Sequence, residues 1–160
     1  MAVFDRLLTR SPFAEVVNAA LDEARLRGDR RMGTEHLLLG LLRAPTSEPA
    51  RALGVDVLTA RAGLDELELA ALRSIGIDGD LVRGLAELPR RHPPLTVAAL
   101  TSGARTVVRL AVDATTARTR PDAPRHLLLA LLDRDRPDPV AALFAQLGID
   151  RAAVRARLTG

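Results

Sequence analysis

Lysine, cysteine, tryptophan and tyrosine are all missing from this sequence of 160 residues, and phenylalanine occurs only three times. Each absence excludes a class of chemistry. Without lysine the 23 basic residues are all arginine, and no phosphate-binding loop of the form Gly-x-x-x-x-Gly-Lys-Ser/Thr can exist in these residues. Without cysteine there is neither a disulfide framework nor a thiolate metal site. Three phenylalanines supply little material for the aromatic platforms that stack single-stranded bases, so nucleic acid is not an expected partner. The formal net charge is only +3. An isoelectric point near 11.0 therefore reflects the lack of Lys, Tyr and Cys to titrate rather than a strongly basic surface. The first ten residues carry charges where a signal peptide needs its apolar core, and no later run approaches the length of a membrane span. A cytoplasmic location and no membrane partner are expected. A chain of this length can bury roughly 70% of its unfolded surface, enough for one domain without staples.

What is present is a pattern written twice. Gly33-Thr34-Glu35-His36-Leu37-Leu38-Leu39-Gly40-Leu41-Leu42 is matched by Ala123-Pro124-Arg125-His126-Leu127-Leu128-Leu129-Ala130-Leu131-Leu132. Leucines this dense overfill one helix face, so each copy predicts a short helix buried nearly all round. Val16-Val17 precedes the first copy as Val107-Val108 precedes the second, and Leu53-Gly54-Val55-Asp56 follows the first as Leu147-Gly148-Ile149-Asp150 follows the second. The sequence thus predicts an internal duplication.

Taken in order, Ser11-Pro12 starts a helix whose apolar face runs through Phe13, Val16, Val17, Ala20, Leu21 and Ala24, with Gly28 as its stop. Thr34 is expected to cap the first leucine helix, which Pro45 forbids beyond about Arg43. Gly40 inside that helix costs about 1 kcal/mol relative to Ala, and close approach of a neighbouring helix is the expected reason. Further helices are expected at Glu48 to Leu53, at Val57 to Ser74 as an extra segment of the first half, and at Leu81 to Leu88. Pro89 to Pro94 reads as a stiff linker. In the second half Val107, Val108, Leu110, Ala111 and Ala114 mark an amphipathic helix, residues 119–122 a loop, Val140 to Leu147 another helix, and Asp150 the cap of a last one. The expected fold is all-α: two pseudo-symmetric helical repeats of about four helices each, with repeat one at residues 11–88, a linker at 89–99 and repeat two at 100–158, together forming a single domain over residues 1–160.

The decapeptide from Gly33 to Leu42, preceded by a Val-Val helix and followed by a Leu-Gly-Ile-Asp-type break, resembles the N-terminal domain of Clp-type protein unfoldases, most of all the ClpC branch. The likeness covers nearly the whole chain. Its first motif matches without interruption, whereas Pro124-Arg125 stand where the family has Thr-Glu. In that family the domain is joined to ATPase modules, which cannot be built here without lysine. The resemblance therefore implies a stand-alone, non-enzymatic module, without cofactor, that binds protein segments or adaptors and modulates a Clp unfoldase.

It also implies a ligand site. In ClpC-like domains the residue matching Glu35, beside the amides of the helix start next to Thr34, helps form a pocket for phosphorylated arginine on tagged substrates. A carboxylate can grip a guanidinium in a fork while free helix-start amides suit a phosphate. Glu35 has an ordinary explanation too, since the helix dipole favours a first-turn carboxylate by roughly 0.3–1 kcal/mol. Arg125 replaces the matching Glu in the second copy and Pro124 removes an amide, so one site is expected, not two. Phe4 and Leu7 loosely resemble the family's Phe-x-Arg-Phe opening, near which cyclic-peptide antibiotics dock, and are candidate apolar contacts. His36 and His126 lack a second ligand at metal spacing and read as hydrogen-bonded structural residues, His92 and the pairs Arg30-Arg31 and Arg90-Arg91 as solvated. No catalytic constellation and no metal site are expected. Two alternatives stay open beside the recognition module: sequestration of cyclic peptides or other small molecules, and a helical DNA-binding regulator.

Overall fold

The computed structural model describes residues 11–86 and 95–160. Phe4, Leu7 and residues 89–94 of the expected linker, with Arg90, Arg91 and His92, lie outside the described residues. Every regular element among the described residues is helical: α1 (Ala14–Arg27), α2 (Thr34–Leu42), α3 (Glu48–Leu53), α4 (Val57–Ser74), α5 (Gly79–Ala86), α6 (Ser102–Ala114), α7 (Ala123–Leu132), α8 (Pro139–Gln146) and α9 (Arg151–Thr159), with short 3-10 turns at Val97–Ala99 and Arg120–Asp122. The only pairing of extended backbone among them is one parallel bridge, Met32 with Leu100. No helix among the described residues is long and apolar enough to cross a membrane.

Local chemistry sets the helix ends. Ser47 accepts the Ala50 amide at 3.3 Å, Asp56 the Thr59 amide at 2.7 Å, Thr101 the Ala104 amide at 3.2 Å and Asp150 the Ala153 amide at 3.1 Å. Each satisfies an amide that the first helical turn leaves without a partner. Gly28 and Gly54 close α1 and α3 with φ of 71° and 69°, a conformation that side chains resist.

At the centre lies α2. All its residues except Glu35 are buried, and α1, α3, α4, α6, α7 and α8 pack on it. Only a helix that is apolar all round can serve as such a hub, which is why the leucines do not confine themselves to one face. The closest neighbour is α1: a Cβ on Gly40 would sit 2.6 Å from the Val16 carbonyl oxygen and 2.9 Å from the Ala20 amide nitrogen. Gly40→Val is therefore expected to push α1 and α2 apart and cost about 1–3 kcal/mol, read as a lower midpoint in urea unfolding at unchanged slope.

Three expectations need correction. Leu110 is 49% exposed and Ala114 is also exposed, so the buried face of α6 is the narrower stripe Ala104, Val107, Val108 and Ala111. Residues 119–122 are not a plain loop, because Arg120–Asp122 makes a 3-10 turn, and Val97–Ala99 does the same inside the expected linker. Thr34 is not a cap: Gly33 holds the N-cap position of α2, and the Thr34 hydroxyl turns instead toward the start of α8.

Candidate functional site

Three helix starts meet at one cavity. The Met32 amide donates to the Ala99 carbonyl at 3.0 Å and the Thr101 amide to the Met32 carbonyl at 2.9 Å, which lays the start of α6 beside the start of α2. From the other side the Thr34 hydroxyl bonds the carboxylate of Asp138, the N-cap of α8. Asp138 is buried and fully used, accepting also the Val140 amide at 3.2 Å and Arg134 Nε at 2.9 Å. The connection that carries Arg134 and Asp138 is itself pinned by Arg151, which donates to the carbonyls of Leu132 and Arg134. Between these walls opens a cavity of about 310 Å³ lined by Thr34, Glu35, Ser102, Gly103, Arg134 and Asp138 among others. Helix starts carry partial positive charge; Arg134, about one-third exposed, is neutralised by its pair with Asp138, and Asp135 beside it pairs with Arg151.

Glu35 supplies the opposite sign. Its side chain folds back over Gly33 so closely that a Cβ at position 33 would overlap the carboxylate. A larger residue at position 33 would have to swing that carboxylate aside; the φ of −99° itself suits any residue. The Glu35 side chain is only 16% exposed, and Oε2 is buried with no hydrogen-bond partner. An unsatisfied buried carboxylate oxygen is costly, and a cation supplied from the cavity would relieve it once the Glu35 side chain turns outward, since Oε2 has no exposed surface as it stands.

Beside Glu35 the ring of His36 is 1% exposed and spoken for at both nitrogens. The Gly33 amide donates to Nδ1 at 2.9 Å, so the ring hydrogen sits on Nε2, which faces Asp29 Oδ2 at 2.9 Å. His36, rather than Thr34, thus satisfies the amide at the start of α2.

No protein-family model matches the chain, and comparison with curated proteins returns no relative. The site accordingly stands on its own geometry.

The second copy of the motif is arranged differently. Arg125 makes a bidentate pair with Glu48 of α3, both bonds at 2.9 Å, and this pairing holds its guanidinium firmly protonated. Pro124 occupies the first turn of α7, where its missing amide is tolerated. His126 is half-buried and meets the Thr115 hydroxyl at 2.8 Å through Nδ1. Thr34 and Glu35 therefore share a cavity, while Arg125 is engaged elsewhere and Arg30 and Arg31 are exposed.

Sequence reasoning missed Arg134 and Asp138, which stand about a hundred residues from Glu35. The Asp138-Pro139 pair does carry a helix-start signal, but nothing in the sequence says which distant hydroxyl it receives. It also missed Glu23, whose carboxylate is 1% exposed. Arg61 grips it through Nε at 2.9 Å and Nη2 at 2.6 Å, and Arg43 adds a bond at 3.2 Å. The hydrogen bonds from Arg61 hold the carboxyl below its usual range; burial opposes them and Arg43 assists. A signal existed here: Val16, Ala20 and Glu23 follow one another at i, i+4 and i+7, so Glu23 continues the buried stripe of α1.

Proposed function

We propose that the chain is a non-enzymatic recognition module of the Clp N-terminal-domain type, built from two pseudo-symmetric helical repeats, whose cavity at Thr34 and Glu35 takes an arginine-bearing segment of a protein partner. The partner would be an arginine-phosphorylated substrate, an adaptor or a Clp unfoldase whose activity the module modulates. One observation carries the reading: the Glu35 carboxylate, with one buried oxygen unpaired, lines the same cavity as Arg134 and the start of α6. A guanidinium can be gripped by Glu35 while an attached phosphoryl group faces the helix start, where Arg134 offers only the donors that its pair with Asp138 leaves over. Phosphoarginine carries both groups on one side chain. The duplication is supported by the packing of α1 on α2 and of α6 on α7, and by a small residue, Gly40 or Ala130, at the same place in each leucine helix.

Calorimetric titration with phosphoarginine tests this. One site per chain is expected. Charge-assisted hydrogen bonds are worth about 1.5–3 kcal/mol, so Glu35→Ala should weaken binding roughly ten- to a hundredfold. Arg125→Ala removes a partly exposed pair worth about 1 kcal/mol or less and should leave the affinity unchanged. Two equivalent sites, or affinity indifferent to Glu35, would overturn the assignment.

A further inference from the structure

We infer that His36 is a proton-driven regulator of the Glu35 pocket: when its ring takes up a second proton, it captures the Glu35 carboxylate and withdraws it from any cation in the cavity. The inference rests on the reading of Glu35 as the cation-gripping group.

The neutral ring is fully matched, with Nδ1 accepting from the Gly33 amide and Nε2 donating to Asp29. A second proton can enter only at Nδ1. There it would oppose the Gly33 N–H, and two donors cannot share one bond. A carboxylate stands ready on that side, since Glu35 Oε1 lies 3.3 Å from Nδ1 and makes no hydrogen bond with it while Nδ1 is bare. Protonation therefore exchanges one partner for another: the Gly33 amide is released and Glu35 becomes the acceptor. The charged groups around the ring are of both signs. Asp29 faces Nε2 from the loop after α1, and Arg27 of α1 stands 3.5 Å from the same Asp29 oxygen. Glu35 is the acid on the ring's own helix. Across the cavity Asp138 is committed to Thr34 and Arg134, Asp135 pairs with Arg151, and the start of α6 presents the uncharged Thr101, Ser102 and Gly103.

The consequence is a pocket that can grip a guanidinium with both Glu35 oxygens while the ring is neutral and, once Oε1 is given to the ring, only through Oε2, so its hold on cations weakens on acidification. By linkage, whatever factor the proton takes from the affinity for a cation, the cation takes from the affinity for the proton.

The test begins on the full chain without ligand. Nuclear magnetic resonance follows the His36 ring nitrogens, the Gly33 amide and the Glu35 Cδ from about pH 8 to about pH 5, the interval in which imidazoles exchange their proton. One shared midpoint is expected for all three signals. In Glu35→Gln the His36 midpoint should move to lower pH while the fold is retained, a more informative variant than His36→Ala, which would strip two bonds from the buried start of α2. A His36 ring that stays singly protonated throughout, or a Glu35 signal that ignores the His36 midpoint, overturns the inference. A second arm uses N-acetyl-arginine amide, whose guanidinium does not titrate in this interval. Its affinity should fall on the order of tenfold between about pH 7.5 and about pH 5.5. If it binds at neither pH, the reading of Glu35 as a cation site has failed, while the ligand-free titration still decides whether His36 and Glu35 are coupled.

Discussion

Glu23→Ala is expected to lower the folding free energy by about 2–3 kcal/mol, at or below the lower limit of about 3–5 kcal/mol for breaking a buried ion pair, because Arg61 and Arg43 are each about a third exposed and can be rehydrated. The loss concerns the joint between halves of the first 74 residues. Glu23 lies on α1, Arg43 at the end of α2 and Arg61 on α4, so a single carboxylate ties three elements together. Only Ala60 and Gly63 of α4 are fully buried, and its hold on α1 depends correspondingly on charge. Arg27 adds ion pairs to Asp65 and Glu68, whose carboxylates are largely exposed. The same reasoning fixes the pH dependence. Bonding to Arg61 depresses the folded-state pKa of Glu23 below its unfolded value. The stabilisation it brings is therefore complete above the ordinary glutamate range near 4.3 and is lost as pH falls through the folded value. Urea unfolding of wild type and Glu23→Ala should differ by the full amount near neutrality and converge in acid. A difference that grows on acidification would contradict the assignment.

The second large effect is at the hub. Leu38→Ala should cost about 2–5 kcal/mol, toward the upper end, because six helices wall in α2 and little can collapse into the void. For a chain of this size that is roughly 5–15 °C in thermal midpoint. Leu110→Ala, on the half-exposed position of α6, is the natural contrast and should move the midpoint by a degree or two at most. Calorimetric melting of the two variants side by side separates a hub from a surface.

These contrasts also show where the sequence is readable. α3 and α4 fall at Glu48–Leu53 and Val57–Ser74, the bounds that the capping residues Ser47 and Asp56 and the stop at Gly54 dictate. Capping is local chemistry, within three or four residues, and so it is legible. Leu110 was misplaced because a 13-residue helix has more apolar positions than one neighbour can cover, and periodicity alone does not say where the neighbour ends. Thr34 was misplaced for a different reason. A threonine at a helix start and a threonine one residue inside it look alike in sequence, and the competing bond to Asp138 comes from 104 residues away. Gly33 and Glu35 are legible as the first and third positions of one motif, whereas the folding of one over the other depends on rotamer and packing. The cavity itself, assembled from the starts of α2, α6 and α8, has no sequence signature at all.

The most direct test of the recognition site is an amide-resolved titration of the intact chain with phosphoarginine. The account predicts shifts that saturate with one equivalent and concentrate at Gly33, Thr34, Ser102, Gly103 and Arg134, with the region of Arg125 and His126 silent. Saturable shifts around Arg125 and His126 instead, or none at Gly33 and Thr34, would contradict it.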